Sequence, residues 1–401
     1  MIDTGIAPVP GLDHADVVVG PDLSFEAGNP DLVGLDSYGH GTHMAGIIGA
    51  RTPGVNPVDA GPTDTFGIAP GARLVSVKVG DNTGAVDVSQ VIAAIDWVVA
   101  NRATGDLDIG VLNLSYTTSS DLGYIDDPLS KAVENAWKAG IVVVVSAGND
   151  GRGVKELANP ANNPYVIAVG AAQNSDGKWK VPSWATRGDS TRNPDVVAPG
   201  ASIASLRVPG SRVDTDTGRI PGHPTLFKGS GTSQAAAVVS GAAALLLQHN
   251  PDLTPDQVKA ALTDTAVWIH DDDSRQGHGL INIAAAATAE VSATAAQTWE
   301  PSTGLGALEA ARGDDHVTIN GITLRGEITF NGQTWNPDTW TKTSPTGSSW
   351  TGSSWTGSSW TGSSWTGSSW TGSSWTGSSW SGSSWTGSSW SGSSWTGNGW
   401  Q

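Results

Sequence analysis

The sequence predicts an α/β fold, a mainly parallel twisted sheet with helices on both faces, and three observations carry that expectation. Residues 141–145 read I-V-V-V-V, five β-branched or branched apolar side chains in a row, as in a strand buried on both faces. Strand-like runs alternate with segments of helical length between residues 73 and 145, which is the pattern of parallel βαβ units. Residues 235–247 are Ala, Val and Leu almost throughout. Apolar all round, that helix belongs in the middle of a large core.

Taken in order, residues 7–38 are rich in Gly, Pro and Asp and read as surface loop with at most one short strand. Small residues follow His40 (Ala45, Gly46, Gly49, Ala50), so a helix there can pack closely on a neighbour. Residues 73–79 alternate and are β-branched, as in a strand. Residues 87–101 place apolar side chains at helical spacing, 109–114 are again strand-like, and a helix over 128–138 leads through Gly140 into 141–145. Further short strands are expected at 166–169 and 195–197. Thr254-Pro255-Asp256-Gln257 is a capping box with proline at the first helical position, and starts a surface helix running to Thr265. One domain therefore spans 1–290. Residues 291–345 read as linker, Ala/Thr-rich over 291–313; within it 314–335, with the turn signals Asn320-Gly321 and Asn331-Gly332, form a small β-hairpin or pack against the preceding domain.

From Thr346 to the end the chain repeats T-G-S-S-W, with tryptophan at every fifth position from Trp350 to Trp400. A five-residue period matches neither the helical nor the strand face rule. With no aliphatic side chains the segment cannot bury a conventional core, so 346–401 is expected to be a flexible, disordered tail. A stacked arrangement of the repeats stays open. Evenly spaced indoles could also stack on sugars of a cell wall or other glycan, or enter a membrane interface, gaining strength from multivalency.

The formal net charge is −17, and from residue 341 onward Lys342 is the single charged side chain. Such acidity argues against nucleic acid or an anionic membrane as partner. There is no cysteine, which excludes disulfides, thiol chemistry and thiolate metal sites. No run of 18 apolar residues is present, so no transmembrane segment is read, and no signal peptide is visible.

The chemistry centres on Gly229-Ser230-Gly231-Thr232-Ser233-Gln234-Ala235-Ala236-Ala237, where small residues lead to one serine at the start of the apolar helix. There Ser233 lies beside free backbone N–H groups and the positive end of the helix dipole, a suitable place for a nucleophile and for the oxyanion it generates. Taken alone, Ser233 could equally be a helix cap. Two further segments, Gly39-His40-Gly41-Thr42-His43-Met44-Ala45-Gly46 and Ile2-Asp3-Thr4-Gly5-Ile6, supply an imidazole and an acid in the chain order Asp…His…Ser. In these motifs residues 1–290 resemble the subtilisin-like (subtilase) serine peptidases of the secreted bacterial type.

That resemblance implies a subtilisin-like fold and a serine endopeptidase, with catalytic Asp3, His40 and Ser233. His40 would be the general base and Asp3 would orient it, while His43 is set aside. The other histidines (His14, His223, His270, His278 and His316) fall in no comparable motif. Ser146-Ala147-Gly148-Asn149-Asp150 resembles the oxyanion-hole segment, so Asn149 and the Ser233 N–H would hold the oxyanion. Ser115, Tyr116 and Thr117, followed by Thr118, resemble the segment that pairs with extended substrate, and Gly148 would line the primary pocket. The family usually carries glycines where Thr117 and Thr118 stand, which points to small or medium apolar P1 residues. Catalysis would need no cofactor; structural calcium, common in the family, has no assignable ligands here. The resemblance further implies an extracellular or cell-surface location and protein or peptide substrates. Only Met1 and Ile2 precede Asp3, so the domain reads as N-terminally truncated, lacking its propeptide and signal peptide. The alternative from another class is a catalytically impaired scaffold that binds surfaces through its tryptophan repeats. A serine esterase is disfavoured by the triad order and by the missing G-x-S-x-G elbow.

Overall fold

The computed structural model describes residues 1–346 apart from 13–16, 62, 106, 152, 155, 190, 293–294 and 320–321, together with the backbone of short strands between residues 354 and 396. In chain order the first elements are β1 (Ile2–Asp3), β2 (Val17–Asp22), α1 (His40–Gly49), β3 (Leu74–Lys78), α2 (Val88–Asn101), β4 (Val111–Leu114), α3 (Pro128–Lys138) and β5 (Val142–Ser146). After them come β6 (Ile167–Ser175), β7 (Lys178–Lys180), β8 (Val196–Pro199), β9 (Ile203–Leu206), β10 (Arg219–Ile220), β11 (His223–Gly229) and α4 (Thr232–His249). The remaining named elements are α5 (Pro255–Asp264), α6 (Asp273–Gln276), α7 (Ile283–Thr288), α8 (Leu308–Arg312), β12 (Thr318–Ile319), β13 (Ile322–Thr323) and α9 (Pro337–Thr343).

The main sheet runs β2-β3-β1-β4-β5-β6-β7, with β8 also on β6. Its pairs are parallel except for the β6–β7 hairpin. Strand β1 is two residues long and still sits at the centre, with Ile2 opposite Val77 on one side and Leu114 on the other. Every residue of β5 is buried. Since successive strand residues point to opposite faces, a strand buried throughout must be covered on both. Helix α4 packs along β4, β5, β6 and β8 with α1 against it, while α2 and α3 pack on one another and against β1 and β5. Ser240 Oγ donates to Asn113 Oδ1 at 2.9 Å and ties α4 to β4 through the core.

The helices start where local chemistry favours it. Asp87 accepts from Ser89 N, and Gln90 Oε1 accepts from Asp87 N, which closes a capping box on α2. Asp127 accepts from Ser130 N, with Pro128 first in α3. Thr254 and Gln257 form the expected box on α5.

Three regions differ from the sequence reading. Residues 203–229 form an antiparallel sheet in the order β10-β11-β9; Pro, Gly and charged residues dilute its alternation. Strand β6 extends to Ser175 and turns back into β7 through Asp176-Gly177, both at positive φ, as a two-residue hairpin turn requires. The described residues of 302–344 lie packed along α2 and α3, with Leu308, Ala311 and Trp340 buried, a longer packed stretch than the 314–335 for which packing was one of two expectations. Their anchors are polar contacts to distant residues, which no local pattern reveals. The Asn320-Gly321 turn lies outside the described residues; the flanking strands pair as Thr318↔Thr323 and Ile319↔Ile322.

In the pentapeptide region the described strands pair in parallel with the residue twenty positions on, as in Trp355↔Trp375↔Trp395 and Trp360↔Trp380. Twenty residues are four repeats, so the described strands pair four pentapeptides apart. The rest of 347–401, on which the expectation of a disordered tail falls, lies outside the described residues.

Candidate active site

Asp3 ends β1 beside the neighbouring strands, at the carboxyl edge where open parallel sheets hold their ligands. Its side chain is 5% exposed, and Oδ1 accepts from Thr4 N at 2.8 Å and meets His40 Nδ1 at 2.8 Å. His40 is the first residue of α1 and keeps 26% of its side chain exposed. The helix can approach this closely because residue 41 is glycine: a Cβ there would lie 2.1 Å from Gly5 O.

A second carboxylate, Asp36, lies beneath this pair and was not foreseen from the sequence. Its oxygens accept from Thr4 Oγ1 at 2.8 Å, Gly39 N at 2.6 Å and Thr42 N at 2.7 Å. It therefore satisfies free N–H groups at the start of α1 and braces the loop carrying His40. The available signal was an acid shortly before a helix start. Burial raises the Asp36 pKa. At His40, burial acts to lower the pKa, but the charge and hydrogen bond of Asp3, with the charge of Asp36, outweigh it and leave the imidazole above its ordinary value. His43 is pushed the other way, to about 4, by burial and then by His40. Its Nε2 lies 3.2 Å from Phe227 O, and its Nδ1 is buried without a hydrogen-bond partner among the described residues.

Ser233 is the second residue of α4 and is largely buried. Its N–H belongs to the first turn, where backbone donors lack helical partners. The first turns of α1 and α4 meet at Gly229, where a Cβ would lie 3.1 Å from His43 Cε1 and 2.6 Å from Gln234 Nε2. Among the described residues Ser233 Oγ makes no direct hydrogen bond to His40; in unliganded enzymes such bonds often tighten when substrate arrives.

Gly148 and Asn149 follow β5 and face this helix start. Asn149 Oδ1 accepts from Thr232 N at 2.9 Å, and Gly148 N donates to Thr232 Oγ1 at 3.2 Å. With its oxygen so engaged, Asn149 keeps Nδ2 as its donor near the start of α4. Thr232, which the sequence reading passed over, is thus the link between the two segments. Gly148 has φ 112°, and a Cβ there would meet Thr186 Oγ1 at 2.8 Å, so this turn requires glycine.

Ser115, Tyr116 and Thr117 continue β4 beyond the sheet and are half-buried. Just beyond them, Thr118 N donates to Asn159 O at 2.9 Å. Among the described residues no group of three or more His, Asp or Glu side chains is placed to hold a metal ion, so no calcium site is derived.

A sequence model of the subtilase family matches residues 2–280. Serine protease AprX of Bacillus subtilis is 36% identical over 294 residues, covering 70% of this chain and 64% of AprX. Subtilisin DY of Bacillus licheniformis is 33% identical over 289 residues, covering 72% of this chain and 89% of that protein. Among solved structures, fervidolysin from Fervidobacterium pennivorans, a keratinolytic enzyme related to subtilisin, superposes with a TM-score of 0.57 at 27% identity, covering 73% of this chain and 42% of its own. The chain belongs to the subtilase family.

Proposed function

We propose that the protein is a serine endopeptidase in which Asp3, His40 and Ser233 form the catalytic triad. The observation that supports it most is the contact of the buried Asp3 carboxylate with His40 Nδ1 at 2.8 Å. It leaves Nε2 as the basic nitrogen, and neutral imidazole is what a general base requires. The serine hydroxyl is a poor nucleophile unless a base takes its proton. As Ser233 Oγ attacks the peptide carbonyl, its proton passes to His40 Nε2, and Asp3 stabilises the imidazolium. Asn149 Nδ2 and Ser233 N–H hold the oxyanion. Collapse breaks the C–N bond, the amine leaves with the proton from His40, and an acyl-enzyme remains. Water then repeats the sequence and releases the acid. The substrate's extended backbone pairs with the edge at Ser115, Tyr116 and Thr117, and the Gly148 turn lines the adjoining pocket. Substrates are proteins or peptides met outside the cell. The alternative of an impaired scaffold rested on an Asp3 without a strand to hold it; against it, Asp3 pairs with Lys78 of β3, and Ile2 before it pairs with both β3 and β4.

The test is fluorophosphonate labelling and peptide cleavage by the full chain beside a Ser233→Ala variant. Labelling and cleavage that both vanish in the variant are expected. Cleavage that survives Ser233→Ala would overturn the assignment.

A further inference from the structure

We infer that the segment after the family domain, residues 302–344, sets the position of the substrate-pairing edge, with Asp315 and Gly313 as its positioning residues. This deepens the peptidase reading and rests on it. The edge at 115–117 is held at its downstream end from two sides. On one side Thr118 bonds to Asn159. On the other side stands the extension. Asp315 Oδ2 accepts from Ser119 N at 3.1 Å and from Ser119 Oγ at 3.2 Å, and Asp314 N donates to Ser119 Oγ at 3.1 Å. Gly313 runs so close that a Cβ on it would lie 2.3 Å from Ser119 O, and its φ is 60°. Ser120 Oγ donates to Ala310 O at 3.0 Å.

The extension is itself firmly seated, so these contacts can transmit position. Arg312 is fully buried, with Nε on Asp87 Oδ2 at 2.6 Å and Nη1 on Gly326 O at 2.6 Å. Trp340 Nε1 donates to Asp96 Oδ2 at 2.8 Å, and Ser344 Oγ to Asp96 Oδ1 at 2.7 Å. Ser302 N donates to Glu134 Oε2 at 2.7 Å, which ties the start of the segment to α3. The extension therefore spans α2 and α3, and its residues 310–315 lie against Ser119 and Ser120, just beyond the edge that would receive substrate. The same proximity appears electrostatically at Tyr116, whose pKa is raised by burial and then by Asp87, Asp315 and Asp127, with Arg312 opposing. A merely structural appendage would need the anchors on α2 and α3 but not the contacts at Ser119.

The test compares wild type, Asp315→Ala, Asp315→Asn and Gly313→Ala on a peptide with several residues before the scissile bond and on a single-residue ester. Fluorophosphonate labelling of Ser233 runs alongside. Losing the paired hydrogen bonds at Ser119 should raise KM for the long peptide roughly 5-fold, with kcat and ester hydrolysis unchanged. Asp315→Asn, which keeps an acceptor, should recover much of the effect, and Gly313→Ala should reproduce it by displacing Ser119. Asp315 is exposed, so its variants are expected to fold. An unchanged KM in both Asp315→Ala and Gly313→Ala would overturn the inference. Parallel loss on peptide and ester would overturn it too, as a general structural effect. Failure of wild type to label at Ser233 would instead overturn the peptidase reading.

Discussion

Replacing Arg312 by Met should cost about 4 kcal/mol, near the middle of the range for breaking a buried ion pair from one side. Both Arg312 and Asp87 are 0% exposed. Methionine fills a similar volume but removes the cation, which leaves a carboxylate buried without a countercharge. It also strips the donors from Gly326 O and Ile328 O, each worth about 1 kcal/mol or more when bonded to a charged group. Asp87 still accepts from Ser89 N at 3.0 Å, which keeps the loss from the top of the range. Adding Asp87→Asn removes the stranded charge and retains a competent helix cap, so the double variant should recover roughly half of the loss. The assay is equilibrium urea unfolding in a Ser233→Ala background, where self-digestion cannot distort the transition. A loss below about 1 kcal/mol, or a double variant no better than the single, would refute the reasoning.

Three further outcomes are expected. On the proposed mechanism His40 acts as neutral imidazole, and since its pKa is raised, kcat/KM should climb with pH, with its midpoint above the ordinary histidine value of about 6.5; Asp3→Asn should lower that midpoint and cut turnover roughly 10,000-fold. Asn149→Ala should reduce kcat about 100- to 1,000-fold with little change in KM, measured on a chromogenic peptide. Burial raises the Asp127 carboxyl from 3.8 to about 6. The folded state then holds its proton more tightly than the unfolded chain, so this group adds no penalty below 3.8 and costs stability as pH rises towards 6. The amount is about 3 kcal/mol, and unfolding curves between pH 4 and 7 should show that decline flattened in Asp127→Asn.

The parts of the fold legible in the sequence are those whose cause is local. The valine run of β5, the Asp127–Pro128 start of α3 and the Thr254–Gln257 box on α5 each carry their reason within a few residues. The meeting of Asp3 with His40, and the placing of Ser233 and Asn149 at the start of α4, were legible in compact motifs of small residues. Asp36 and Thr232 were not, because they act on the backbone of other segments. The extension was hidden for the same reason at greater range. Arg312 finds Asp87 225 positions away and Trp340 finds Asp96 244 positions away, and neither distance leaves a periodic trace. The antiparallel sheet over 203–229 lacked a clean alternation because most of β11 is not fully buried.

The central place of β1 has a kinetic consequence. Its partners, Val77, Lys78 and Leu114, lie 75 to 112 positions further along the chain. During synthesis this strand emerges early, yet it has no slot to enter until β4 has been made. Pairings of that span close large loops and form slowly. Seating of the strand that carries Asp3 is thereby tied to completion of the sheet. On the proposed triad, activity arrives with the finished core, at the stage when the protein has become a poor substrate for its own kind.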